Sequence, residues 1–303
     1  MKRKPLISVV MNCYNGERYL KESLDSIKNQ KFKNWELIFW DNRSTDNSKR
    51  IFSSLKDKRF KYYYANQFTN LYAARNLAIK KTRGKIITFI DVDDIWLPHK
   101  LEKQVEYFLK NKSAEIVYSN YFIQKKILGF NLKKIKFKSP LPHGYITKDL
   151  LINYCIGWLT VAIKKNIINK KKKFFNEKIN MVADYDLMIN LSLRYKIHCI
   201  QSPMAIYRQH PNQLTRLNFI SQADHFLKWS KTFKLKKLIS DYKHLKNLNY
   251  KIEFFKEIKL INKGKYSFIR IYKKLLNGKI KLVLKIIIYL LFPSLFTKYI
   301  LSI

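Results

Sequence analysis

Lys85-Ile86-Ile87-Thr88-Phe89-Ile90-Asp91-Val92-Asp93-Asp94-Ile95-Trp96 is the stretch on which the reading of this chain turns. A run rich in β-branched and aromatic side chains, the pattern of a buried strand, passes without a break into three carboxylates. Asp91, Asp93 and Asp94 repel one another, and at the C-terminal end of a central strand they stand where open α/β sheets bind ligands. A divalent cation relieves that repulsion, because Mg2+ and Mn2+ take oxygen ligands, commonly one or two carboxylates plus substrate phosphates. The competing reading is a solvated acidic turn ahead of the helix that follows Pro98.

The flanking sequence favours the ligand site. Leu6 to Met11 is a short apolar run that ends in Asn12-Cys13-Tyr14-Asn15-Gly16, a strand and then a turn. Tyr19, Leu20, Leu24 and Ile27 recur at helical spacing, with Glu17 and Glu22 near the helix start. A second strand, Trp35 to Trp40, delivers Asp41-Asn42-Arg43-Ser44-Thr45-Asp46, where Ser44, Thr45 and Asp46 are N-cap candidates for a helix through Ile51. Phe60 to Tyr64 reads as a third strand and Leu71 to Thr82 as a helix carrying Arg75, with Gly84 ending it. Such alternation predicts an α/β fold with a doubly wound, mostly parallel sheet. Three polar strand ends then line one crevice: 12–16, 41–46 and 91–94. Neither GxGxxG after the first strand nor GxxxxGK[ST] occurs, which argues against dinucleotide-binding and P-loop folds.

Composition bounds the class. The chain has 303 residues, 47% of them hydrophobic, and 61 Lys+Arg against 21 Asp+Glu, a formal net charge of +40. That field favours anionic partners: nucleic acid, anionic lipid head groups or phosphorylated small molecules. Cys13, Cys155 and Cys199 are odd in number and without metal-type spacing, so a reducing compartment is expected. The basic start Met1-Lys2-Arg3-Lys4 is followed by too short an apolar run for a secretion signal.

Four segments carry a resemblance. Ser8 to Gly16, Glu36 to Asp46, Ala74-Arg75-Asn76 and Phe89 to Trp96, in this order and spacing, resemble the successive motifs of family 2 glycosyltransferases with the GT-A fold, over roughly residues 5–215. The resemblance implies that Asn12, Tyr14, Asp41 and Asn42 hold the base and ribose of a nucleotide sugar and that Arg75 lies near its phosphates. Most members have a second aspartate where this chain has Asn42, and an amide offers both a donor and an acceptor, so the choice of UDP stays open. Asp91 and Asp93 take the place of the family's Asp-x-Asp pair, with Asp94 beside them, one contacting ribose and another a Mg2+ or Mn2+ that bridges the diphosphate. Asp93 and Asp94 are the expected metal ligands, joined by His210 of Tyr207-Arg208-Gln209-His210-Pro211, which resembles a late family motif of Tyr-Arg-x-His-Pro type. In the family a Glu-Asp pair opens a helix and its aspartate is the general base. Asp184 aligns with that aspartate, the glutamate is replaced by Ala183, and Asp186 is the reserve. Read as residues alone, an aspartate at a helix start is an N-cap.

The acceptor side is expected around Trp158 and Thr160, with Arg208 and Asp186 nearby; Trp158 either stacks on a sugar or belongs to the core. A helix around Lys100 to Lys110 and a strand from Glu115 to Ser119 precede it, and basic Gln124 to Ser139 is a hairpin over the acceptor side or a solvated loop. Residues 1–220 are expected to form the glycosyltransferase domain and 221–303 a basic helical extension. The extension has nineteen Lys/Arg against four acids and ends in apolar segments, Val283 to Phe292 and Leu295 to Leu301, interrupted by Lys285, Pro293 and Lys298. An interfacial helix on an anionic membrane fits better than a spanning one, with packing on the catalytic domain or in a homo-oligomer as the alternative. The expectation is an inverting glycosyltransferase, cytoplasmic and peripheral on the inner face of the cell membrane, that moves a sugar from a nucleoside diphosphate donor to a lipid-linked or oligosaccharide acceptor of a surface glycan. A processive synthase would need several membrane spans. The rivals are a basic nucleic-acid-binding protein, disfavoured by acids at the crevice mouth and the lack of a binding motif, and a scaffold without activity.

Overall fold

The computed structural model describes residues 4–127, 129–170, 172–232, 245–265, 267, 274, 276 and 278–292. Two compact units divide the chain: Met1–Leu150, Tyr154–Glu177 and Leu187–Gln209 form the first, and Leu151–Asn153, Lys178–Asp186 and His210–Ile303 the second.

The first unit is built on a nine-stranded sheet. Its N-terminal part alternates β1 (Ile7–Cys13), α1 (Glu17–Lys28), β2 (Trp35–Asp41), α2 (Ser48–Ser54), β3 (Phe60–Tyr64), α3 (Leu71–Ile79) and β4 (Ile86–Asp91). All seven residues of β1 and of β2 are buried, because helices cover both faces of a parallel sheet. β1 runs two residues further than its apolar stretch predicts, carrying Asn12 and Cys13 inside the strand.

The chain continues through β5 (Ile95–Trp96), α4 (Lys100–Lys110), β6 (Ile116–Ile127), β7 (Phe130–Ile135), α5 (Thr147–Ile152), β8 (Ala162–Lys164), α6 (Lys165–Asn169), α7 (Ala183–Ser192) and β9 (Ile197–Gln209). The strand order is β3-β2-β1-β4-β8-β6-β9-β5, with β7 paired to β6. β8 is antiparallel to β4 and β6, and β5 is antiparallel to β9, so β1–β4, β6 and β9 share one direction.

The order forces curvature. β4 and β5 are consecutive in the chain yet four strand steps apart, about 19 Å on a flat sheet. The link from Asp91 to Ile95 spans at most about 14 Å when fully extended. The sheet must therefore curl until its far edge meets α1 and the end of β4, and the acidic turn is the link across that closure.

In the second unit α8 (Leu214–Leu217) and α9 (Phe219–Ser230) are followed by α10 (Lys246–Asn262) and α11 (Ile280–Leu291). Phe219, Phe226 and Phe255 form its aromatic centre, and buried Glu257 is held by Lys274 at 3.0 Å. α11 buries Leu282, Val283, Ile286 and Tyr289, while Ile280, Leu284 and Leu291 are exposed. Among the described residues no helix is long and apolar enough to cross a membrane. The apolar segment expected from Leu295 to Leu301 lies outside the described residues.

Candidate functional site

Strand register brings the three polar ends together. Asn12 of β1 lies opposite Asp91 of β4 on one side and Trp40 of β2 on the other, and Cys13 lies opposite Asp41. The crevice expected at these ends is therefore fixed by the hydrogen-bond ladder of three adjacent parallel strands.

The acidic turn is held by two arginines. Arg75 of α3, 3% exposed, pairs with the Asp91 carboxylate. Arg208 of β9, 7% exposed, pairs with Glu22 of α1, donates Nε–H to the Asp93 carbonyl, and gives its backbone N–H to Asp94 Oδ1 at 3.2 Å. Its guanidinium also lies 4.9 Å from the centre of the Tyr19 ring. Asp94 is 2% exposed, and burial, then the Asp93 and Asp91 carboxylates, push its carboxyl well above the usual range. The three acids thus have different surroundings: Asp91 faces an arginine, Asp94 is turned inward, and Asp93 is half-buried.

Asn12 is 8% exposed, and among the described residues neither its Oδ1 nor its Nδ2 meets a protein partner. Asp41 and Asn42, by contrast, are occupied within the protein. Asp41 accepts the Ser44 N–H at 2.7 Å and the Tyr62 hydroxyl at 2.5 Å. Asn42 donates to the Thr69 carbonyl at 2.7 Å and accepts from the Thr69 hydroxyl at 3.1 Å, which ties the loop after β2 to the loop before α3. Tyr14 is 52% exposed with its ring 4.8 Å from that of Phe68, so two loops present an open aromatic pair.

The loops after β1 and β2 are stitched to each other. Ser44 Oγ accepts from Asn15 N, Ser48 Oγ from Gly16 N and Asp46 Oδ2 from Glu17 N, at 3.0, 3.0 and 2.9 Å. Asp46, a cap candidate for α2, therefore also serves the first turn of α1 from across the crevice. Asn15 and Arg43 take φ of 51° and 74°, a left-handed conformation that non-glycine residues seldom adopt.

Three acceptor-side candidates are buried. Trp158 is packed among aromatic side chains, its ring centre 4.8 Å from that of Phe89 and 5.2 Å from that of Phe175. Thr160 is fully buried and donates its hydroxyl to the Gly157 carbonyl, closing the single 3-10 turn Trp158–Thr160. Arg208 is committed to the acidic turn.

Asp184, Asp186 and His210 belong to the second unit. Asp184 and Asp186 lie in the first turn of α7, as expected, and Asp184 Oδ1 accepts the Tyr185 N–H at 2.8 Å. Tyr185 is anchored by Trp229, ring centres 4.7 Å apart. His210 follows the end of β9, and its carbonyl accepts the Gln213 N–H.

Among the described residues no three His, Cys, Asp or Glu side chains form a metal cage made by protein alone. The donor set at the turn nonetheless fits Mg2+ or Mn2+, which take one or two carboxylates and complete their shell with phosphate oxygens and water.

The parts played by Glu22, Phe68 and Lys100 are not among those the sequence suggests. Lys100 is fully buried, donating to Thr88 Oγ1 at 2.9 Å and Gln104 Oε1 at 3.0 Å, with its ammonium 3.8 Å from the centre of the Trp96 ring. Burial pushes its ammonium well below the usual range. Periodicity could have found it, since Lys100 and Gln104 fall on the stripe that also holds Leu101, Val105 and Phe108.

Comparison with known proteins agrees with the geometry. The family model described as Glycosyl transferase family 2 matches residues 8–213. An uncharacterized glycosyltransferase of Methanocaldococcus jannaschii is 34% identical over 263 residues, covering 84% of this chain and 85% of that protein. WfgD of Escherichia coli, a UDP-Glc:alpha-D-GlcNAc-diphosphoundecaprenol beta-1,3-glucosyltransferase, is 35% identical over 164 residues, 54% of this chain and 62% of that enzyme. S. aureus TarS 1-349 in complex with UDP-GlcNAc superposes with a TM-score of 0.57 at 14% identity, covering 86% of this chain and 92% of that one. The mannosyltransferase PcManGT from Pyrobaculum calidifontis, in complex with GDP-Man and Mn2+, gives 0.58 at 15% identity, covering 92% and 80%. At these identities the structural likeness is one of fold, the GT-A fold.

Proposed function

Because the chain belongs to glycosyl transferase family 2, we propose that it transfers a sugar from a nucleoside diphosphate donor, with inversion, to a hydroxyl of a lipid-linked surface glycan. The observation that carries this reading is the unpartnered, buried amide of Asn12 beside the acidic turn. A buried polar group without a partner costs about 1–3 kcal/mol, and a ligand with donor and acceptor groups, such as a nucleobase edge or ribose hydroxyl, removes that cost. Tyr14 and Phe68 supply an aromatic face beside it, while Asp41 and Asn42 hold the loops that shape the pocket. WfgD, with its UDP-glucose donor and diphosphoundecaprenol-linked acceptor, supports a UDP-sugar and a lipid-linked acceptor.

Asp93 would hold the divalent cation, joined by Asp91 or by Asp94. Bound there, a cation supplies Lewis-acid stabilisation of the departing diphosphate. Arg75 fixes the Asp91 carboxylate in place, and Arg208 fixes the turn through the Asp93 carbonyl. Asp184 takes the proton of the acceptor hydroxyl as that oxygen attacks the anomeric carbon; one carboxylate suffices for an inverting displacement. In this reading residues 1–220 perform the transfer and the basic extension 221–303 attaches the enzyme to the cytoplasmic face of the membrane.

The test is transfer from a panel of nucleotide sugars to a polyprenyl-diphosphate-linked N-acetylglucosamine in the presence of Mn2+. Asp184→Asn is expected to lower the rate about 10^3-fold with nucleotide affinity unchanged, the range removed with a general base. Transfer at the native rate by Asp184→Asn would contradict the assignment.

A further inference from the structure

We propose that the β6–β7 hairpin is a membrane-contact element that sets the donor site against an anionic lipid surface. The proposal rests on the lipid-linked acceptor assigned above for its purpose, but on geometry for its existence. β6 shares the direction of β1, β2 and β4, so its C-terminal end leaves the sheet at the same edge as the acidic turn. Gln124 of β6 is paired with Arg208, the residue that clamps Asp93 and Asp94. From that point β6 continues through Ile127, about 10 Å further at strand rise. The hairpin thus springs from beside the acidic turn and belongs to the same compact unit.

Its chemistry fits one partner. Among the described residues β7 pairs with β6 alone, and its first five residues are exposed. Phe130 and Leu132, 74% and 55% exposed, alternate onto one face at the tip, next to the turn where Gly129 takes φ +86°. Lys126, Lys133, Lys134 and Lys138 are exposed around them. No Asp or Glu occurs between Glu115 and Asp149, so no acid of this segment offsets that charge. A nucleic acid would be met by lysines and stacking rings lining a groove, whereas here the apolar side chains stand at the end of a projecting ribbon with lysines behind them. That arrangement suits a bilayer, with the phenylalanine and leucine entering the interface and the lysines facing anionic head groups. A diphosphate-linked acceptor anchored in the same leaflet would then reach the acidic turn from the membrane side.

The experiment is co-sedimentation of the full chain with vesicles of phosphatidylcholine alone or with phosphatidylglycerol. Wild type is compared with Lys133→Ala/Lys134→Ala and with Phe130→Ser/Leu132→Ser, and UDP binding is measured in parallel. Partition onto anionic vesicles is expected to fall about 30-fold in the lysine variant, the effect of two lysines near a charged surface. The apolar variant is expected to lose roughly tenfold or more. UDP affinity should be unchanged in both, because no altered side chain belongs to the donor site. Wild-type partition by both variants would overturn the proposal, as would failure of wild type to bind anionic vesicles or tighter binding of a single-stranded oligonucleotide by the hairpin at the same salt. Failure of UDP to bind any of the proteins would instead count against the glycosyltransferase donor site, which the vesicle result does not test.

Discussion

Asn12 is the residue at which sequence and structure say different things of the same side chain. Its position after an apolar run suggests a turn, yet the ladder with β2 and β4 extends to it, leaving a buried amide with both polar atoms unpartnered. Asn12→Ala is therefore expected to leave thermal stability unchanged or raise it by about 1 kcal/mol, and to weaken nucleotide binding about tenfold. A thermal melt and a calorimetric titration on the same sample check both. A destabilised variant with native affinity would mean that the amide serves the fold. The remaining donor-side candidates were legible as a set because polar residues at strand ends are visible in sequence, but their division of labour was not. Asp41 and Asn42 look equivalent to Asn12 in a motif, and only the tertiary contacts to Tyr62, Ser44 and Thr69 show that they hold loops.

Among the elements, α4 shows what periodicity can and cannot disclose. A helix is expected around Lys100 to Lys110, and Lys100–Lys110 is the observed range, with an apolar stripe along its buried face. The lysine on that stripe holds β4 through Thr88, while Gln104 donates to the Thr160 carbonyl, so two polar residues tie the central strand to the segment before β8. Among the described residues no carboxylate is bonded to that ammonium, and its folded-state pKa is depressed by burial. Between that depressed value and the ordinary value of about 10.4, the unfolded chain binds more protons than the folded one, so the lysine's contribution to stability rises with pH. Lys100→Met, of similar length and without charge, is expected to match or exceed wild-type stability at neutral pH, with its advantage shrinking as pH rises. Denaturant unfolding of both proteins from pH 7 to 10 would show it, and a pH-independent difference would contradict it. The parallel β1–β4 half was legible because each strand and helix carries its own period. In the second half the strand from Glu115 and a hairpin within Gln124 to Ser139 were legible as expectations, whereas β8 and β9 were not, since pairings between sequence-distant residues join them to the sheet.

For the whole molecule, two features meet at the acidic turn: the curl of the sheet and the charge of the chain. The link from β4 to β5 is too short for a flat sheet, and Arg208 and Glu22 fasten the curled edge, so closing the fold and assembling the three carboxylates are the same event. In a chain of net charge +40, two buried arginines steady the acids of the turn. The central claim is that this turn, with a divalent cation, receives a nucleoside diphosphate. The most direct measurement is calorimetric titration of the full chain with UDP, GDP, CDP and dTDP in Mn2+ and again in EDTA, repeated on Asp93→Ala. The account predicts binding of one nucleotide, UDP, that disappears with EDTA and in the variant. Binding that survives both would contradict it, as would no binding by the native chain.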